Sequence, residues 1–172
     1  GGTLIGQAIV ATAARLAEAG FTPAFVAPST ADLGRALVYL DEVYKVPGVR
    51  PVLREISYHR YGGASREDLA ELAQRAKANG ARTAMLEHIG SDVEDLYTDL
   101  TVASVSAWQQ YTLAFPSADN GGHYFGIADG RPVVESRTRY LRHYFHYVRM
   151  GAQRVGATSV TSALRAAAFE NT

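Results

Sequence analysis

Short apolar runs and amphipathic helical stretches alternate along most of this chain, and that alternation restricts the fold more than any other feature. Residues 7–19 place Ala8, Ile9, Ala13, Leu16 and Ala17 at helical spacing and stop at Gly20, a suitable residue past a helix end. Residues 22–28 form a short apolar run between breakers. A second helix follows, carrying Leu33, Leu37, Leu40 and Val43, with Ser29 or Thr30 as its cap. After the Pro47-Gly48 turn, residues 56–61 read as a strand that empties into Gly62-Gly63. Ser65 and Asp68 make a near capping box for a helix over residues 66–79, whose Leu69, Leu72, Ala73 and Ala76 share one face. Residues 82–86 are then a buried strand that delivers Glu87 at its C-terminal end.

The later chain continues the pattern less regularly. Residues 92–101 read as helical, residues 102–113 as a further strand around Trp108, and residues 137–149 as an aromatic, amphipathic helix. Two strand-like runs, at 153–160 and 164–169, suggest that a β-rich appendage begins there. A repeat of about 25 to 30 residues per βα unit suits a parallel sheet covered by helices, in which a barrel and a doubly wound sheet are the two common outcomes. The glycines a doubly wound dinucleotide site needs after its first strand are missing.

Composition narrows the partners. Lys plus Arg and Asp plus Glu number 17 each, so no broad field draws the chain to nucleic acid or to an anionic membrane. A neutral substrate suits it better. No apolar run approaches the roughly 20 residues that span a bilayer. Cysteine is absent, which removes disulfides and thiol chemistry. Gly62-Gly63 and Gly121-Gly122 lack the phosphate-cradling pattern, and His143 with His146 has no third ligand in view, so no cofactor and no metal are expected. Ten Tyr, six Phe and one Trp offer flat faces that serve a sugar ring or a core equally well.

Polar residues gather where barrel chemistry would place them, at the ends of predicted strands: His59 and Tyr61, then Glu87, then Trp108 with Gln109 and Gln110. A lone Glu after an apolar strand also fits a capping or surface carboxylate. His59 and Tyr61 also fit packing roles, and Trp108 a place in the core. The loop Asp119-Asn120-Gly121-Gly122-His123-Tyr124 is placed to flank a cleft, although such a turn needs no ligand to explain it.

Several motifs, in order, resemble glycoside hydrolase family 30, within the larger clan of (β/α)8 retaining glycosidases. Thr83-Ala84-Met85-Leu86-Glu87 followed by His88-Ile89-Gly90 is similar to its nucleophile strand. Ser57-Tyr58-His59-Arg60-Tyr61 resembles its His-aromatic-Tyr strand, and Ala107-Trp108-Gln109-Gln110-Tyr111 its Trp-containing last strand. Asn120-Gly121-Gly122 matches the Gly-rich loop beyond. Tyr140-Leu141-Arg142-His143-Tyr144-Phe145 resembles the final barrel helix, which runs on into a β-sandwich side domain.

The resemblance implies an α/β chain: the C-terminal half of a TIM (β/α)8 barrel over residues 1–150, then the first strands of a β-sandwich over residues 151–172. It implies a retaining β-glycosidase acting on a carbohydrate, with relatives active on glucosides, xylan, β-1,6-glucans and galactans, and a secreted or extracellular setting. Glu87 would be the nucleophile, with Tyr61 and His59 beside it. Trp108, Gln110, Asn120 and His123 would contact the sugar. Retention also needs a second carboxylate, about 5 to 5.5 Å from the first. The family's Asn-Glu-Pro-type acid/base motif does not occur in this sequence. Glu55 starts its strand and would face the wrong end, while Asp92, Glu94 and Asp95 suit a helix start. The expectation is a fragment without an acid/base residue; the alternative is a non-catalytic carbohydrate-binding protein with a glycosidase-like cleft.

Overall fold

Four parallel strands lie side by side in chain order in the computed structural model, which describes residues 1–172: β1 (Phe25–Thr30), β2 (Leu53–His59), β3 (Arg82–Glu87) and β4 (Ala107–Trp108). Helix α1 (Gly2–Glu18) precedes them, and α2 (Leu33–Val43), α3 (Arg66–Ala78) and α4 (Val93–Thr98) fill the connections. Parallel neighbours need such crossovers. The α/β reading with a parallel sheet therefore holds. The sheet is open: four strands do not close a barrel.

One apolar core ties the helices to the sheet. Leu33, Ala36, Leu37 and Leu40 of α2 meet Leu69, Leu72 and Ala76 of α3 over Ile56 and Tyr58 of β2 and Met85 of β3. Helical spacing of three and four collects the first two sets on single faces, and the two-residue period of a strand collects the third. The same alternation turns Ser57 and His59 to the opposite face of β2. A smaller cluster joins Ile9 of α1 to Ala27, Val43, Val49 and Leu53. A Cβ on Gly6 would stand 2.7 Å from Val46 Cγ2, so glycine sets how closely α1 approaches.

Several local expectations change. Helix α1 begins at Gly2, earlier than residue 7. Asp32, and not Ser29 or Thr30, caps α2, its side chain accepting from Arg35 N at 2.7 Å. Thr30 Oγ1 instead donates to Asp32 O, and Ser29 Oγ is engaged with His59. Strand β2 runs earlier than residues 56–61, leaving Tyr61 in the loop beyond it.

The largest differences follow Glu87. Helix α4 is short and passes into a π-helical turn, Asp99–Ala103. The single strand expected over residues 102–113 is split. Its β4 piece has two residues, and β5 (Thr112–Phe115) belongs to another sheet, parallel to β6 (His123–Ala128). Trp108 is bonded to Asp99 and Gln110 to the 121 carbonyl, which sends residues two positions apart to the surroundings of different sheets. Strand β6 turns back antiparallel to β7 (Arg131–Val134) through Asp129-Gly130, at φ 49° and 71°. Those left-handed angles are what a two-residue hairpin turn favours.

Helix α5 (Ser136–Tyr147) follows and buries only Leu141 completely. The tail forms one antiparallel pair, β8 (Gln153–Val155) with β9 (Ala168–Glu170), shorter than the runs at 153–160 and 164–169. No helix is long and apolar enough to cross a membrane.

Candidate active site

The C-terminal ends of β1, β2 and β3 bring Ser29, His59 and Glu87 into one row. Strand pairing sets His59 directly opposite Glu87, after a shift in register at Tyr58. Tyr61, just past β2, donates its phenol to Glu87 Oε1 at 3.0 Å. His59 Nδ1 lies 3.9 Å from the same oxygen, and its Nε2 is 3.0 Å from Ser29 Oγ. No protein donor is placed on Glu87 Oε2.

The loop holding Tyr61 is fixed from two sides. Its backbone N–H donates to Ala31 O at 3.0 Å, and Gly62 packs so closely on Asp32 that a Cβ would collide with that side chain. Arg60, between the two site residues, reaches the helix layer, pairing with Asp95 at 2.7 Å and Asp99 at 2.6 Å. Asp99 is fully buried and also accepts from Tyr58 Oη at 2.6 Å and Trp108 Nε1 at 2.9 Å. Burial pushes the Asp99 carboxyl up, with Arg60 and its two neutral donors opposing. This network anchors the end of β2 from behind.

Tyr61 is pushed up to about 12, first by burial and then by the hydrogen bond to Glu87 and its charge. The phenol therefore remains a donor at neutral pH. His88, the next residue after Glu87, is shifted down by burial, and its Nδ1 is 2.8 Å from Ser91 Oγ. Its ring meets that of Tyr61 edge-on at 5.4 Å.

The remaining predicted residues divide. Trp108 pairs with Met85 across the sheet and packs against the helix-side core. Its indole donates to Asp99 and faces Phe145 at 6.3 Å. Its strand register matches Met85 and Tyr58, and its half-buried ring also lines an open cavity with Tyr124 and Phe145. Gln110 is buried and donates from Nε2 to Gly121 O at 2.8 Å. Asn120 Oδ1 accepts from Gly122 N at 2.9 Å, an Asx turn. His123 is buried, with Nε2 3.7 Å from Glu135 Oε1. These three shape the loop that backs onto the segment after Glu87. A Cβ on Gly121, at φ 76°, would stand 2.7 Å from Gly90 Cα, and Gly122 abuts Ile89.

Other carboxylates are committed elsewhere. Glu55 sits at the opposite end of β2, 3.4 Å from Arg82. Asp92 and Asp95 close a capping box on α4, and Glu94 pairs with Arg165 at 2.8 Å. Ser29 escaped the sequence reading because a serine before a helix signals a cap; its place at the end of an apolar run was the available clue.

No protein-family model and no curated protein matches this sequence. Solved structures do resemble the fold. The catalytic domain of GH30 xylanase C from Talaromyces cellulolyticus superposes with TM-score 0.75 at 13% identity, over 99% of this chain and 41% of its own. A GH30 endoxylanase from Clostridium papyrosolvens C71 gives 0.65 at 16%, over 86% and 38%. SrfJ from Salmonella typhimurium gives 0.65 at 14%, over 80% and 36%. The chain thus has a glycosidase-like α/β fold, that of part of the GH30 catalytic domain. It spans about two fifths of the length of these neighbours.

Proposed function

We propose that this chain carries the nucleophile side of a retaining β-glycosidase site, with Glu87 as the nucleophile. Residues 1–150 would form the catalytic part and residues 151–172 the opening of a side domain. The observation that supports it most is the asymmetry of the Glu87 carboxylate: Tyr61 holds Oε1 at 3.0 Å, and Oε2 is left without a protein partner at the strand rim. A held, ionised carboxylate with one oxygen free is what attack on an anomeric carbon requires.

In this reading Oε2 attacks C1 of the sugar as the aglycone leaves, forming a glycosyl-Glu87 ester that water then hydrolyses. Tyr61 and His59 gather the negative charge on Oε1. The acid/base carboxylate comes from polypeptide beyond these residues, since Asp92, Glu94 and Asp95 are occupied by caps and ion pairs. The substrate is a neutral β-linked sugar, with β-xylosides the first choice because two of the structural neighbours are xylanases. Gln110, Asn120 and His123 act through the loop they build.

An activated substrate tests this without the acid/base group, because 2,4-dinitrophenolate leaves unprotonated. Mixing the protein with 2,4-dinitrophenyl β-xyloside and its β-glucoside counterpart should release a stoichiometric burst of phenolate with one of them, absent in Glu87→Gln. Binding of a sugar without any burst would support the non-catalytic alternative instead.

A further inference from the structure

We propose that Ser29 is a positioning residue whose hydroxyl donates to His59 Nε2 and so fixes the imidazole with Nδ1–H toward Glu87. This deepens the glycosidase reading and rests on it only in taking Glu87 as an ionised nucleophile.

The two ring nitrogens of His59 face unlike groups. Nε2 is 3.0 Å from Ser29 Oγ, which can donate or accept, whereas Nδ1 is 3.9 Å from Glu87 Oε1, which when ionised can only accept. If Nε2 carried the proton, the Nδ1 lone pair would face the carboxylate oxygen, a repulsive arrangement at that range. With the proton on Nδ1, the serine donates to Nε2 and the N–H dipole faces the charge across 3.9 Å, an electrostatic attraction and not a hydrogen bond. The bond made by one ring nitrogen thereby decides the state of the other.

The backbone is arranged for this contact. Pro28 pairs with Ser57 and Thr30 with Tyr58, so Ser29 is skipped in the ladder between β1 and β2. It takes φ 54°, a left-handed conformation that non-glycine residues adopt sparingly and that clusters at functional sites. Thr30 bonds Asp32 O and Asp32 caps α2, so neither helix nor strand uses the Ser29 hydroxyl. The consequence for chemistry is directional. Tyr61 Oη and His59 Nδ1–H both address Oε1, and the second oxygen is left for the sugar.

The tautomer is read directly by two-bond proton–nitrogen correlation spectra of the ¹⁵N-labelled 172-residue protein at pH about 8, where ordinary imidazoles are neutral. His59→Gln assigns the signals. The wild type should show the unprotonated nitrogen at Nε2. Ser29→Gly, which suits the positive φ and deletes only the side chain, leaves Glu87 as the sole bias and should weaken the preference, so that a second population with an unprotonated Nδ1 appears. Ser29→Asn, which tolerates that φ and offers an amide donor, should keep it at Nε2. An unprotonated Nδ1 in the wild type, or an unchanged spectrum in Ser29→Gly, overturns the proposal. Failure of the glycosidase reading would appear separately, as an absent phenolate burst with the tautomer intact.

Discussion

Tyr61 donates its phenol to Glu87 Oε1 at 3.0 Å, joining the loop after β2 to the end of β3. A hydrogen bond to a charged group contributes about 1.5–3 kcal/mol. Tyr61→Phe should therefore slow the phenolate burst by about 10- to 100-fold while leaving the far-ultraviolet circular dichroism unchanged.

The same pair makes a prediction about titration. Burial and the Glu87 charge together push Tyr61 up to about 12. Glu87→Gln removes the charge but not the burial, so the phenol should fall part of the way toward its ordinary value of about 10. Ultraviolet titration, taken as a difference from the same protein carrying Tyr61→Phe, isolates this one tyrosine. An unchanged value would mean that the contact is not populated.

Trp108 separates packing from sugar binding. Its indole donates to the buried Asp99, so Trp108→Phe should cost about 1–3 kcal/mol in urea unfolding. The burst rate should remain near that of the wild type. A large loss of burst with unchanged stability would instead support the sugar-platform role.

His88 gives stability a dependence on pH. Burial lowers its folded-state value, so the unfolded chain binds more protons just below the ordinary imidazole range of about 6.5. Its contribution is present above that range and is lost as the pH falls through the lowered folded value. Asp99, raised by burial, acts with the opposite sign: its contribution is greatest at low pH and is lost as the pH rises through its folded value. The difference between wild type and His88→Gln isolates the histidine. Urea midpoints between pH 7 and 5 should fall more steeply in the wild type.

Gly121 is tested by a single methyl group. Its positive φ and its approach to Gly90 make Gly121→Ala destabilising by about 1–3 kcal/mol, readable as a lowered thermal midpoint.

The sequence carried the first two βα units clearly, because Leu33, Leu37 and Leu40, then Leu69, Leu72 and Ala76, repeat at helical spacing and are buried in one cluster. Glu87 was legible for a similar reason: it ends an apolar strand. Tyr61 was legible only as company for Glu87, since nothing local says that its loop will be held on Ala31 and Asp32. The bond of Trp108 to Asp99 was not legible, because one residue of register decides which face a strand residue occupies, and the π-helical turn that brings Asp99 beneath it has no simple periodic signature. The β6–β7 hairpin did have a signal in Asp129-Gly130, obscured by the glycine-rich loop before it. The contact of Gly121 with Gly90 joins residues 31 positions apart in the chain, beyond the reach of local patterns.

The central claim is that Glu87 attacks the sugar. Its most direct test is tandem mass spectrometry of the protein after incubation with 2,4-dinitrophenyl 2-deoxy-2-fluoro-β-xyloside or its β-glucoside counterpart, which accumulate the covalent intermediate. One glycosyl group per chain, located on Glu87 and absent from Glu87→Gln, is the predicted result. A label on any other residue, or none with either sugar, would contradict the assignment.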